Sequence, residues 1–184
     1  MHRVKATDIL ALRDIFTERS AEERRLFDER LDDTTRLLYE EALANEWCDG
    51  AELARLHVAA AEVLFPKRKQ GLADLGEQLA LRSYSTVYKL VLAIPSFSFV
   101  VRRAGALWSS YHDTGIATIE EQTERSLILV VREAPEFPPA LAGVVSGTIR
   151  ALGQITRTKN VRVREGGDPR EWRWQAVWTR RGTP

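Results

Sequence analysis

The chain has 184 residues, of which 44% are hydrophobic and 29% charged. That length holds one domain with a sizeable core, and that balance describes a globular chain, not a disordered one. Lys and Arg number 27 against 26 Asp and Glu, so net charge singles out neither nucleic acid nor a membrane surface as a partner.

No stretch approaches the roughly 20 apolar residues of a membrane-spanning helix, and no membrane partner is expected. The start, Met1-His2-Arg3-Val4, has no apolar run of the kind a secretory signal carries. Cys48 is the single cysteine, which excludes an internal disulfide and a cysteine-based zinc site. The expected location is a reducing cytoplasm. Charge is uneven: Met1 to Gly50 is acid-rich, whereas the segment after Arg150 carries Arg157, Lys159, Arg162, Arg164, Arg170, Arg173, Arg180 and Arg181. A solvated face explains this most simply. The sharper reading is a docking surface for an acidic partner.

In chain order, the first two thirds reads as helices. Ser20-Ala21-Glu22-Glu23 has the capping-box spacing and starts a helix with Leu26, Phe27 and Leu31 apolar. Asp32 or Asp33 caps the next, which carries Leu37, Leu38 and Leu43. Gly50 lies near the start of a third, where Leu53, Leu56, Ala60, Val63 and Leu64 recur at helical spacing until Pro66 ends the run. Two further helices are predicted over Leu72–Leu81 and Val87–Ile94. Pro95-Ser96 restarts the chain, and Phe97–Tyr111 reads as one long amphipathic helix.

At Gly115 the pattern changes. Ile116–Ile119 and Leu127–Val131 read as a hairpin. Pro138-Pro139 starts a helix through Leu152, with Gly153 as its stop. A second hairpin follows: Val161 and Val163 share one face, and Gly166-Gly167-Asp168-Pro169 supplies the turn. The last strand places Trp172, Trp174, Ala176 and Trp178 together. The fold class is therefore α+β, a single domain over residues 1–184. A helical part (about 1–114) packs on a β-hairpin, helix, β-hairpin unit (about 115–180) with a four-stranded antiparallel sheet.

Several of these features combine in a recognisable order. A helix ends Leu107-Trp108-Ser109-Ser110-Tyr111-His112-Asp113-Thr114-Gly115, then comes the glycine-punctuated Gly143-Val144-Val145-Ser146-Gly147. Asn160-Val161-Arg162-Val163, Gly167-Asp168-Pro169 and a strand ending at Trp178 complete it. This resembles a family of bacterial proteins of about this length, found mainly in myxobacteria and their relatives. More distantly, over Tyr84 to Trp178, it is similar to the superfamily of vinyl-reductase-like domains, heme nitric-oxide/oxygen-binding domains and TRAPP vesicle-tethering subunits. The resemblance implies an α+β body with an apolar space between helices and sheet, filled by heme, by a lipid-like or aromatic molecule, or by core. It also implies partners, among them a second copy of the chain.

His57 falls on or beside the apolar stripe of its helix, where a neutral imidazole is able to ligate heme iron. Heme-binding relatives pair that ligand with a Tyr-x-Ser-x-Arg motif, and Tyr84-Ser85-Thr86-Val87-Tyr88 lacks the spacing and the arginine. A satisfied, partly buried structural histidine is expected, and no cofactor. His112-Asp113 reads as a helix end, with His112 on the dipole and Asp113-Thr114-Gly115 shaping the turn. The tryptophan stripe reads as core before stacking platform, and Gly143-x-x-x-Gly147 as helix-on-sheet packing before a dimer seam. The carboxylates read as solvated, without apolar surroundings to shift them. There is no phosphate loop, nucleophile elbow or metal-ligand spacing.

These readings describe a non-catalytic signalling or scaffold module, not an enzyme, that binds a partner protein or a hydrophobic small molecule. The expected pocket lies between the Phe97–Tyr111 helix and the tryptophan-bearing sheet, with Tyr88, Trp108, Tyr111 and His112 as its candidate residues. The alternatives are a purely structural dimeric module without ligand, and nucleic-acid binding through the Arg-rich C-terminal strands. The balanced charge and the lack of a recognition motif disfavour the last.

Overall fold

The computed structural model describes residues 1–87 and 97–179. A short strand opens the chain, β1 (Arg3–Lys5), followed by α1 (Thr7–Thr17), α2 (Ala21–Asp28) and α3 (Asp33–Glu41). Strand β2 (Trp47–Asp49) returns antiparallel to β1, with Val4 opposite Cys48. Three residues are too few for periodicity to register, so this two-stranded sheet escapes a reading by pattern. α4 (Gly50–Leu64) and α5 (Gly71–Val87) follow.

The capping chemistry forms as the sequence expects. Ser20 Oγ accepts from the Glu23 amide while the Glu23 carboxylate accepts from Ser20 N–H, satisfying two otherwise orphaned donors. Asp32 accepts from Thr35 N–H and Asp49 from Ala51 N–H, starting α3 and α4. Phe27 is buried and stacks on Phe16 at 4.0 Å between ring centroids, with Tyr39 edge-on to it at 5.1 Å. α3 differs from its expected face: Leu37 and Leu43 are 54% and 63% exposed. Thr35 and Ala42 are buried in their place, with Leu38 and Tyr39 partly covered, because α3 leans on α4 through one narrow stripe.

The single helix expected over Phe97–Tyr111 is two, α6 (Phe97–Val101) and α7 (Ala104–Tyr111). A tight turn, with Arg103 N–H bonded to the Val100 carbonyl, separates them. The halves have different partners, which one straight rod does not reach: α6 packs on the later helix Pro139–Ile155 and α7 on the strand Ile116–Gln122. The helix expected over Val87–Ile94 lies outside the described residues apart from Val87, which belongs to α5.

The C-terminal part is hairpin, helix, hairpin: β3 (Ile116–Gln122), β4 (Ser126–Arg132), α8 (Pro139–Ile155), β5 (Lys159–Asp168) and β6 (Glu171–Thr179). The strands form one antiparallel sheet in the order β3-β4-β6-β5. Leu127, Leu129 and Val131 pair with Ala176, Trp174 and Trp172, so the tryptophan stripe faces inward. Trp172, Trp174 and Trp178 are all buried, and Trp174 donates through Nε1 to the Ala142 carbonyl at 2.9 Å. The stripe is core.

Two glycine roles differ from expectation. Gly143 and Gly147 meet α5, not the sheet: a Cβ at Gly147 would enter the backbone of Ala73 and Gly76, and one at Gly76 the backbone of Val144. Gly153 does not stop α8, which continues to Ile155; it sits under Val161 of β5, where a methyl group has no room. α5 and α8 thus touch backbone to backbone. Replacing Gly147→Ala is expected to force them apart at a cost of about 3 kcal/mol, as overpacking does. Thermal denaturation checks this, and an unchanged melting temperature would contradict the packing.

Candidate functional site

A cavity of about 250 Å³ lies where α1, α5, α6, α7, β4 and α8 come together. Its size is just under the ~300–1,000 Å³ usual for small-molecule sites. Its wall is mainly apolar: Leu53, Val100, Leu107, Leu129, Val144 and Ile149 are representative. The polar groups on it are Lys5, Thr7, Asp8, Ser83, Tyr111, His112 and Thr148. Thr7 Oγ1 is occupied by the Ala44 carbonyl and Thr148 Oγ1 by the Val144 carbonyl, so both hydroxyls are satisfied within the protein. Ser83 Oγ is buried without a hydrogen-bond partner.

Of the four residues the sequence nominates, Trp108, Tyr111 and His112 stand on this wall, while Tyr88 lies outside the described residues. Trp108 and His112 form its end plate. Their rings stack at 3.8 Å between centroids, 12° from parallel, with Phe137 beside both. Trp108 Nε1 donates to the Thr114 carbonyl at 2.8 Å. His112 Nδ1 and His2 Nε2 share a hydrogen bond of 3.1 Å, and His2 Nδ1 continues it to Thr114 Oγ1 at 2.6 Å. Ser109, three residues before His112, donates to the Ala106 carbonyl.

The same end plate fastens the N-terminus. Arg3 donates through its amide and its guanidinium to the two Asp113 carboxylate oxygens, at 2.7 and 2.8 Å, and its carbonyl accepts from Asp113 N–H. Burial works against the Asp113 carboxylate, but the Arg3 hydrogen bonds outweigh it and hold its pKa below the usual value. The sequence reading placed His112 on the helix dipole. Burial and the neighbouring His2 instead push its pKa down to about 3, so it is neutral. His2 is lowered too, again chiefly by burial.

Asp8 is the residue the sequence reading missed. It stands in the first turn of α1, half-buried, on the cavity wall. Desolvation raises its pKa to about 6, contrary to the expectation that no carboxylate has apolar surroundings. A signal was there: Asp8 precedes Ala11, Leu12 and Ile15 by three, four and seven residues, which places it in the buried stripe of α1.

His57 is a second correction. It is completely buried and neither ring nitrogen has a partner, so it is neither satisfied nor partly exposed. Burial lowers its pKa to about 4. It does not line the cavity, although Leu53, one turn earlier on α4, does.

Solved structures of this fold exist. An H-NOX protein from S. oneidensis in the Fe(II)NO state matches with a TM-score of 0.66 at 12% identity, covering 96% of this chain and 99% of its own. An Fe(II) unliganded H-NOX protein from K. algicida matches with a TM-score of 0.67 at 11% identity, covering 97% and 98%. An oxygen-binding H-NOX domain related to soluble guanylate cyclases matches at 0.61 and 10% identity, covering 95% and 92%. At such identities the likeness is one of fold, and the fold agrees with the α+β body that the superfamily resemblance implied. No protein-family model and no curated protein matches the chain, so the myxobacterial-type resemblance rests on its motifs alone.

The histidine shifts predict acid sensitivity. A folded pKa lowered from 6.5 to about 4 means that the protein keeps its stability above pH 6.5 and loses it as pH falls from there toward 4, because the unfolded chain takes up the His57 proton first. His57→Leu is expected to add about 1–3 kcal/mol at neutral pH by removing two unsatisfied groups. It is also expected to flatten the fall in melting temperature between neutral and mildly acid pH. Calorimetric scans across that range check both, and a destabilised variant with the wild-type acid slope would contradict them.

Proposed function

We propose that this chain is a non-catalytic sensory or scaffold module whose cavity takes an apolar small molecule. The observation that carries the reading is the cavity: apolar on most of its wall, placed between helices and sheet, with a few polar groups that fix orientation. The related solved domains are described as binding nitric oxide, oxygen and heme. A module that transmits occupancy is consistent with the end plate, because Trp108 and His112 touch the cavity and also hold β1 through His2, Arg3 and Asp113.

Heme does not fit the residues present. The chain has three histidines. His57 lies outside the cavity wall, and both His2 nitrogens are engaged. His112 is hydrogen-bonded through Nδ1 and lies flat against Trp108. Propionates need cations, and among the described residues Lys5 is the only Lys or Arg on the wall. The fold is shared with heme domains; the donor set is not.

Of the arginines that carry the nucleic-acid reading, Arg173 is held by Glu120 and Glu171, which neutralises it within the sheet.

Truncating Trp108 is a poor test, since it is buried and a Trp→Ala change in a core costs about 3–5 kcal/mol. Filling the cavity is better. Val145→Phe, from α8 into the space, is expected to abolish co-purified ligand while the protein remains folded by circular dichroism. Native mass spectrometry is expected to show excess mass for wild type and a clean apo mass for the variant, and the wild-type absorption spectrum no Soret band. A Soret band, or identical ligand content in both, would overturn the assignment.

A further inference from the structure

Among the described residues, the Asp8 carboxylate is the one anionic group on the cavity wall, and none of them pairs with it as a counter-ion. Lys5 lines the same cavity but makes no ion pair with it; the Lys5 ammonium lies over the Trp47 ring, 5.5 Å from its centroid. The other titratable groups on the wall are the Tyr111 phenol and the His112 imidazole, and His112 is neutral. Thr7, the neighbour of Asp8, has turned its hydroxyl to the Ala44 carbonyl. Ser83 Oγ, on the wall from α5, is buried and unpartnered, and it is able to accept a hydrogen bond.

A partly desolvated carboxylate without a partner is costly, and proteins retain such groups where they meet a ligand. We propose, building on the small-molecule reading above, that the cavity recognises an amphiphilic amine. Its apolar body lies among Leu107, Leu129, Val144 and Ile149, and its protonated amino group lies against the Asp8 carboxylate. An ammonium donates three hydrogen bonds and accepts none, and the Asp8 carboxylate and the Ser83 hydroxyl oxygen are both able to accept. A carboxylic acid or phosphate ligand would face Asp8 as a like charge. A neutral apolar ligand would leave Asp8 uncompensated.

The pH behaviour follows. Because burial raises the folded pKa of Asp8 from 3.8 to about 6, the ligand-free protein loses stability as pH rises through that interval, and the ionised state above it is the one that holds an ammonium. Amine affinity therefore falls as pH is lowered through about 6, while the affinity of a neutral ligand does not.

The test compares benzylamine with benzyl alcohol, nearly equal in shape, by isothermal titration calorimetry at mildly alkaline pH. Wild type is expected to bind the amine about tenfold more tightly, the scale of one charge-assisted hydrogen bond. Asp8→Asn is expected to lose that preference and keep its affinity for the alcohol. It should also melt at a higher temperature than wild type at neutral pH, as removal of a costly functional group does. Equal wild-type affinities would overturn the amine assignment and leave the cavity reading standing. Binding of neither probe would overturn both. The wild-type comparison decides even if the variant fails to fold.

Discussion

The backbone contact between α5 and α8 sets the geometry of everything else in the protein. At Gly76 and Gly147 no side chain separates the two helices. Farther along α5, Ala80 and Ser83 border a cavity, as do Thr148, Ile149 and Leu152 farther along α8. Close packing at one end and open space beyond it come from the same pair of helices. Interiors are otherwise packed nearly as densely as organic crystals, so a space of this size needs framing elements that do not collapse. α8 cannot move in from the other side, because Trp174 of β6 is hydrogen-bonded to its Ala142 carbonyl and Val161 of β5 fills the space above Gly153.

The chemistry of the cavity has one physical cause acting on groups of opposite sign. Burial disfavours charge, so it raises the Asp8 carboxyl to about 6 and lowers the His112 imidazole to about 3. His112 relieves its burial by stacking on Trp108 and bonding to His2. Asp8 has no comparable relief. The asymmetry between these two groups is what distinguishes a binding site from a stretch of core.

Much of the fold was legible in the sequence because its signals are local. The Ser20–Glu23 box, the Asp32 cap, Pro66 and the alternation of β6 each act within a few residues. What was not legible depends on distant partners. The β1–β2 pair joins residues more than forty positions apart and is three residues long. The break between α6 and α7 follows from where β3 and α8 lie, and the role of Gly147 from the position of Ala73. Of the site, Trp108, Tyr111 and His112 were found through their aromatic and polar mixture. Asp8 was missed because one acid in an apolar stripe reads as a charged helix start unless its spacing to Leu12 and Ile15 is weighed. His57 was found, but its unsatisfied state was not, since partners are invisible in a sequence.

The central claim is that the space between helices and sheet is open and apolar. A crystal structure of the freshly purified protein under xenon pressure tests it most directly, because xenon enters dry apolar cavities and no others of this kind. The account predicts either density for a retained organic molecule or a xenon site bounded by Leu107, Leu129, Val144 and Ile149. A wall closed to both, with side chains filling the space between α7 and α8, would contradict it.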